Sequence, residues 1–352
     1  MVVARSGDRN RASAARVTRV AVIGAGSWGT AVAAIAAGNV ATTLWARRPE
    51  LAERIRDAHE NPTYLPDIVL PSRLHATASL EEACTGADVL VLGVPSHGLR
   101  AVLGEARPFI GPRVPVVSLA KGIEQGTLAR MTEVSCDVLA GHEPACVGVL
   151  TGPNLAREVA AGQPTASVVA MADATIAQEM QQLFFAPSLR VYTNPDVVGC
   201  EMAGALKNVL AIGAGIADGL GYGDNTKAAL MTRGLAELAR LGAAMGGDPL
   251  TFAGLAGMGD LIATCSSPQS RNRHVGVELG KGRALDDIVN EMNMVAEGVK
   301  TTAAVLELAA RHGVEMPLAS FVRRVLHEGA RPADLVPELM LRKAKPELHG
   351  MR

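Results

Sequence analysis

Aromatic side chains are scarce: two Trp, three Tyr and five Phe make up 3% of 352 residues. The apolar fraction, 48%, is therefore mostly Ala, Val and Leu, a composition suited to helical or α/β cores. Charge of one sign is also lacking. The formal net charge is -1 and the pI about 6.7, so no broad basic field exists to hold nucleic acid or an anionic membrane. Any anion site must be local. The five cysteines (Cys84, Cys136, Cys146, Cys200 and Cys265) are widely spaced and form no CxxC pair. That excludes a disulfide framework or a zinc site and fits reduced thiols in a cytosolic protein. The eight histidines include no metal-spaced pair, and no metal is expected. Residues 1–19 hold five arginines and one Asp but no apolar h-region, so they do not read as a secretory signal. An organellar transit peptide has a similar composition; a flexible extension over 1–18 is the simpler expectation. Residues 20–46 carry no charge, long enough for a membrane span, yet Gly24, Gly26, Gly29, Gly38 and Asn39 punctuate them. Strand, turn, helix, turn, strand inside an α/β domain is the better reading.

The chain is long enough for two domains. Short β-branched or apolar runs at 19–23, 42–46, 87–94, 114–119, 147–150, 167–171 and 189–192 alternate with helical stretches such as 30–37 and 50–60. Strands spaced by helices predict a doubly wound parallel sheet of Rossmann type. After Pro195 the character changes. Residues 197–215, 226–245, 273–279, 284–291 and 301–311 read as helices. A dinucleotide domain over 19–195 and an all-α substrate domain over 196–345 are expected, with a pocket where they meet.

The run Gly24-Ala25-Gly26-Ser27-Trp28-Gly29 follows the first strand and opens a helix. In that context Gly24 permits a tight turn, Gly26 lets the backbone approach a pyrophosphate, and Gly29 lets helix and strand pack closely. At the end of the second strand, where an Asp or Glu would hold a ribose 2′-hydroxyl, stand Arg47 and Arg48. Two guanidiniums there suit a 2′-phosphate, which predicts that NADPH is used at least as well as NADH; solvated surface charges are the alternative.

Three segments place polar groups where packing alone would not. Lys207 has Ala203, Gly204, Leu210 and Ala211 as its helical neighbours, so its ammonium lies on an apolar stripe. Desolvation would bring its pKa toward neutrality and suit it to general acid/base work, against the alternative of a lysine snorkelling at a domain edge. Asp260 is framed by Gly254, Gly257 and Gly259, either to be presented to a cavity or to cap a helix. Ser270-Arg271-Asn272-Arg273 is a phosphate-binding donor set or an ordinary charged loop. In the first half, Lys121 follows an apolar strand, and Thr151-Gly152-Pro153-Asn154 follows another. Ligands in open α/β sheets bind beyond such strand ends.

Six ordered motifs together resemble the bacterial NAD(P)-dependent glycerol-3-phosphate dehydrogenases: GAGSWGTAVA from Gly24, LAKGIE from Leu119, GPNLAREVAAGQPT from Gly152, GALKNVLAIGAGIADGLGYGDN from Gly204, GLAGMGDL from Gly254 and QSRNR from Gln269. The likeness runs from about residue 19 to about residue 340. It implies a cytoplasmic homodimeric oxidoreductase that interconverts dihydroxyacetone phosphate and sn-glycerol 3-phosphate with NADP or NAD, supplying glycerophospholipid synthesis. It implies Lys207 as the catalytic proton donor/acceptor. It implies substrate contacts at Lys121, Gly152, Asn154, Lys207, Asp260, Ser270, Arg271 and Asn272. Cofactor contacts are implied at Ser27, Trp28, Arg47 or Arg48, Lys121, Ala156, Arg271, Val295 and Glu297. Two features depart from common members: the longer N-terminal extension, and Trp28 where Tyr or Phe is frequent. The nearest rival is a related dehydrogenase of a 3-hydroxy acid or a ketopantoate-like carboxylate, which would not need the Ser270–Arg273 donors. A non-catalytic nucleotide-binding regulator would keep the glycine turn but not need Lys207 or Asp260.

Overall fold

The computed structural model describes residues 17–292 and 296–347. Ten strands precede the helical half: β1 (Arg19–Ile23), β2 (Ala41–Trp45), β3 (Glu60–Asn61), β4 (Leu65–Val69), β5 (Leu74–Thr77), β6 (Val89–Leu92), β7 (Val116–Ser118), β8 (Val147–Thr151), β9 (Thr165–Ala170) and β10 (Leu189–Asn194). Eight of them form one sheet in the order β10-β9-β8-β7-β6-β1-β2-β5, and β3 pairs with β4 as a separate hairpin. The chain leaves β1 toward β2 and β5, then returns to the other side of β1 as β6, which puts the switch point between β1 and β6.

The strands are short apolar runs because both faces of the sheet are covered. Val20 and Val22 point to one face, with Val32, Ala36, Met180 and Phe184 of the covering helices. Ala21 and Ile23 point to the other, with Leu99, Leu103 and Val134. The sheet is not wholly parallel. β8 and β9 pair antiparallel, while β9 and β10 are parallel to each other. The expected helix over 50–60 spans Pro49–Ala58; His59 closes it in the left-handed region at φ 55, and Glu60 opens the hairpin.

Beyond Asn194 every regular element is helical among the described residues. The central helix, Val197–Gly219, is buried from Gly199 to Ala217. It is long and apolar enough by composition to cross a membrane, yet 89% of that window is packed inside the protein. Two helices expected to start later, at 273 and 301, begin at Arg271 and Glu297. The Arg271–Gly280 helix crosses the central helix backbone to backbone. A Cβ on Gly215 would lie 2.1 Å from the Arg273 carbonyl oxygen, and one on Gly276 2.0 Å from that of Ile212. Gly219 and Gly280 repeat the contact one turn on. Ile123 and Leu128, from the segment after β7, pack into this helical core rather than against the sheet.

Candidate active site

Four expected site residues meet where β7 and β8 end against the central helix. The Lys207 Nζ donates to Asp260 Oδ1 at 2.6 Å and to Thr264 Oγ1 at 2.5 Å. The Lys121 Nζ donates to Asp260 Oδ2 at 2.7 Å and to the Gly152 carbonyl at 3.2 Å. One carboxylate, 2% exposed, thus bridges two ammonium groups. Burial pulls the Lys207 pKa down to about 8; Lys121 adds to the shift and Asp260 opposes it. An ammonium has three donors, and two of those on Lys207 are taken among the described residues, leaving one N–H for a ligand oxygen.

Asp260 reaches this place through a wide turn. The Gly259 N–H donates to the Gly254 carbonyl, five residues back, and a Cβ on Gly257 would lie 2.2 Å from the Phe252 carbonyl oxygen. Only a residue without a side chain fits at position 257, and the π turn Leu255–Gly259 delivers Asp260 as the first residue of the Asp260–Ser266 helix. Thr264, one turn on, donates to the Asp260 carbonyl at 2.6 Å and so accepts from Lys207.

The Ser270–Arg273 run divides its work. Ser270 caps the helix, its Oγ accepting from the Arg273 N–H at 3.2 Å. Arg273 is held by Asp218, with Nε at 2.8 Å and Nη2 at 2.6 Å. Asn272 donates to Asn208 Oδ1 at 3.0 Å and accepts from the Gly298 N–H at 2.9 Å. Asn208 in turn donates to the Lys121 carbonyl at 3.4 Å. Arg271 is exposed, with no hydrogen bond among the described residues. Its charge opposes the upward push that burial gives the Glu297 pKa. Glu297 accepts from the Ser96 N–H at 3.4 Å.

The dinucleotide turn lies at the switch point. Gly24, at φ 117, packs against Gly93 after β6, where a Cβ would be 2.7 Å from the Gly93 carbonyl carbon. Gly29 is closed off too, with the Gly24 oxygen 2.0 Å from its Cβ position. Gly26 is the contrast: a Cβ there would meet nothing within 4 Å. Ser27 opens the Ser27–Asn39 helix, which has no side-chain cap and no acid in its first turn. Its leading N–H groups therefore stand ready for an anion. The buried Trp28 Nε1 has no partner. An open turn, an uncapped helix and an orphaned donor fit a dinucleotide.

At the end of β2, Arg48 stacks over Tyr64 of the hairpin at 5.8 Å and reaches Thr63, while Arg47 is exposed. Ala156 opens the short Ala156–Ala160 helix after the Asn154 turn. Val295 lies outside the described residues. The sequence reading missed Thr264, Asn208, Tyr64 and Ser96. Thr264 stands four residues after Asp260 and Asn208 directly after Lys207, the one positional signal that pointed to either.

Residues 19–177 match the family model for the N-terminus of NAD-dependent glycerol-3-phosphate dehydrogenase, and residues 196–337 match that for its C-terminus. A glycerol-3-phosphate dehydrogenase (NAD(P)+) 2 of Sphingopyxis alaskensis is 56% identical over 94% of this chain and 98% of its own. The crystal structure of glycerol-3-phosphate dehydrogenase from Coxiella burnetii superposes with a TM-score of 0.88 at 36% identity, covering 93% of this chain and 99% of that one. A ketopantoate reductase of Ralstonia eutropha shares the fold, with a TM-score of 0.53 at 17% identity over 88% of this chain and 99% of its own.

Proposed function

The chain belongs to the NAD-dependent glycerol-3-phosphate dehydrogenase family, and we propose that it reduces dihydroxyacetone phosphate to sn-glycerol 3-phosphate, reversibly, with NADPH or NADH. The observation that carries this reading is the buried Lys121–Asp260–Lys207 cluster with one Lys207 N–H left open.

A bound nicotinamide supplies the two electrons and the hydrogen that reach C2. The chain supplies the proton and the grip. Lys207 holds a proton at Nζ against the C2 oxygen and delivers it as negative charge grows there. Asp260 keeps both lysines in place and limits the loss of charge that burial would otherwise impose on Lys207. Lys121 faces the substrate from the sheet side with Gly152 and Asn154. Arg271 takes the phosphate at the start of its helix, with Ser270 and Asn272 beside it. Arg47 would hold a 2′-phosphate, and Arg48 with Tyr64 would supply a surface for the adenine. Residues 19–195 serve the cofactor and 196–345 the substrate; the enzyme works as a cytoplasmic homodimer feeding glycerophospholipid synthesis.

The test is nicotinamide oxidation, followed by absorbance with NADPH and separately NADH, in wild type and Lys207→Met. The variant keeps length and apolarity but has no proton to give, so kcat falls by about 10²- to 10⁴-fold while cofactor binding persists. A kcat close to wild type removes Lys207 from the reaction. A strong preference for NADH removes the 2′-phosphate role of Arg47.

A further inference from the structure

We infer that Ser167 is a positioning residue for substrate: its hydroxyl anchors the oxygen end of the Asn154 carboxamide, which leaves the amide nitrogen facing a substrate oxygen. This rests on the reading that Asn154 touches the triose phosphate. The placement comes from the antiparallel pairing of β8 and β9. Its register, Leu150 with Val169 and Thr151 with Val168, carries on to set Ser167 opposite Gly152. A Cβ on Gly152 would lie 3.3 Å from the Ser167 Cα, and Gly152 turns the chain sharply at φ 125. Ser167 is fully buried, and its Oγ donates to Asn154 Oδ1 at 2.5 Å.

That bond uses the oxygen end of the carboxamide. The nitrogen end, Asn154 Nδ2, is buried and has no partner, as does Thr151 Oγ1 in the same four-residue turn. Among the described residues only five buried side-chain polar atoms are left so, and two of them are here. Unpaired buried donors are costly, and clusters of them mark places where a ligand completes the bonding. A carboxamide torsion is roughly two-fold and broad, so without an anchor the Asn154 side chain would turn freely. With the oxygen forward, Asn154 would repel the carbonyl and phosphoryl oxygens of a triose phosphate. Ser167 anchors the oxygen end and so leaves the nitrogen end forward.

The experiment compares KM, kcat and thermal midpoint for wild type, Asn154→Ala, Ser167→Ala, Ser167→Val, Ser167→Thr and the Asn154→Ala/Ser167→Val double variant, with dihydroxyacetone phosphate. Ser167→Ala and Ser167→Val should each raise KM by about 5- to 50-fold with little change in kcat, the loss of one oriented hydrogen bond. Ser167→Thr, which keeps the hydroxyl, should restore KM. The double variant should be no worse than Asn154→Ala alone, because the two residues act as one unit. An unchanged KM in the Ser167 variants beside a raised KM in Asn154→Ala overturns the positioning role and leaves the Asn154 contact standing. An unchanged KM in Asn154→Ala overturns both. Losses that add in the double variant, tracking the thermal midpoint, overturn the positioning role in favour of a packing one.

Discussion

A lysine that loses its water on burial gives up its proton more readily, and Lys207 does so at about pH 8. In its proposed role as acid it must be protonated for the reduction. The kcat/KM of the reduction should be level below pH 8 and fall about tenfold per pH unit above it; the reverse oxidation, which needs the neutral amine, should rise through the same point. A profile of both directions checks this, and a reduction rate that climbs past pH 9 would contradict the acid role. Lys207 and Asp260 were legible in the sequence because each is a charge set among small or apolar neighbours, which packing alone does not produce. Thr264 and Ser167 were not. A threonine inside a helix usually bonds back to its own turn, and a serine at the start of a strand has no unusual neighbours. Their importance comes from the side chain across from them, which no local pattern encodes. The run at Ser270 shows the converse: four polar residues looked alike, and the fold uses Ser270 as a cap, ties Arg273 to Asp218 and gives the Arg271 side chain no hydrogen bond among the described residues.

Lys207 and Arg271 stand on two helices, and glycine sets the distance between them. At Gly276 an added methyl would fall 2.0 Å from a carbonyl oxygen that cannot move independently. Gly276→Ala should destabilise the protein by about 1–3 kcal/mol and raise KM, since the Arg271 end of the helix shifts with it. Gly104, in the Ser96–Ala106 helix with nothing within 4 Å of its Cβ position, is the control: Gly104→Ala should stabilise by about 0.5–1 kcal/mol. Denaturant titration of the two variants separates the cases, and an equal response from both would sink the close-packing argument. The strands were legible as apolar runs, but a run buried on both faces does not reveal its direction, so the reversal at β9 could not be read. The β3–β4 hairpin was missed for a different reason. Its strands are short, partly exposed and interrupted by Pro62 and Pro66.

The two halves of the molecule are joined through more than the chain. Ile123 and Leu128 leave the sheet side and seat themselves in the helical core, so the segment that carries Lys121 is fixed to the helices that carry Lys207. Asn208 strengthens the join through the Lys121 carbonyl, and Arg130 and Thr132 do so by holding the buried Glu201 of the central helix. Ile123→Ala should therefore cost about 2–5 kcal/mol and also lower kcat several-fold, because the Lys121 side of the cluster loosens. Leu99→Ala, a comparably buried truncation in the Ser96–Ala106 helix that covers the sheet, should cost similar stability with kcat near normal. Matched kcat values in the two variants would show that the join plays no part in catalysis. The change from strands to helices after Asn194 was visible in the sequence; the packing of Ile123 and Leu128 into the helical core was not, since they are ordinary apolar residues in a loop.

The backbone-to-backbone crossing of the central helix and the Arg271 helix has one more consequence. The spacing between Lys207 and Arg271 is measured out in main-chain atoms, which are the same whatever side chains surround them. Drift elsewhere along the two helices can alter surface, stability and neighbours while the reacting geometry keeps its scale. Four small residues thus give the rest of both helices freedom to evolve.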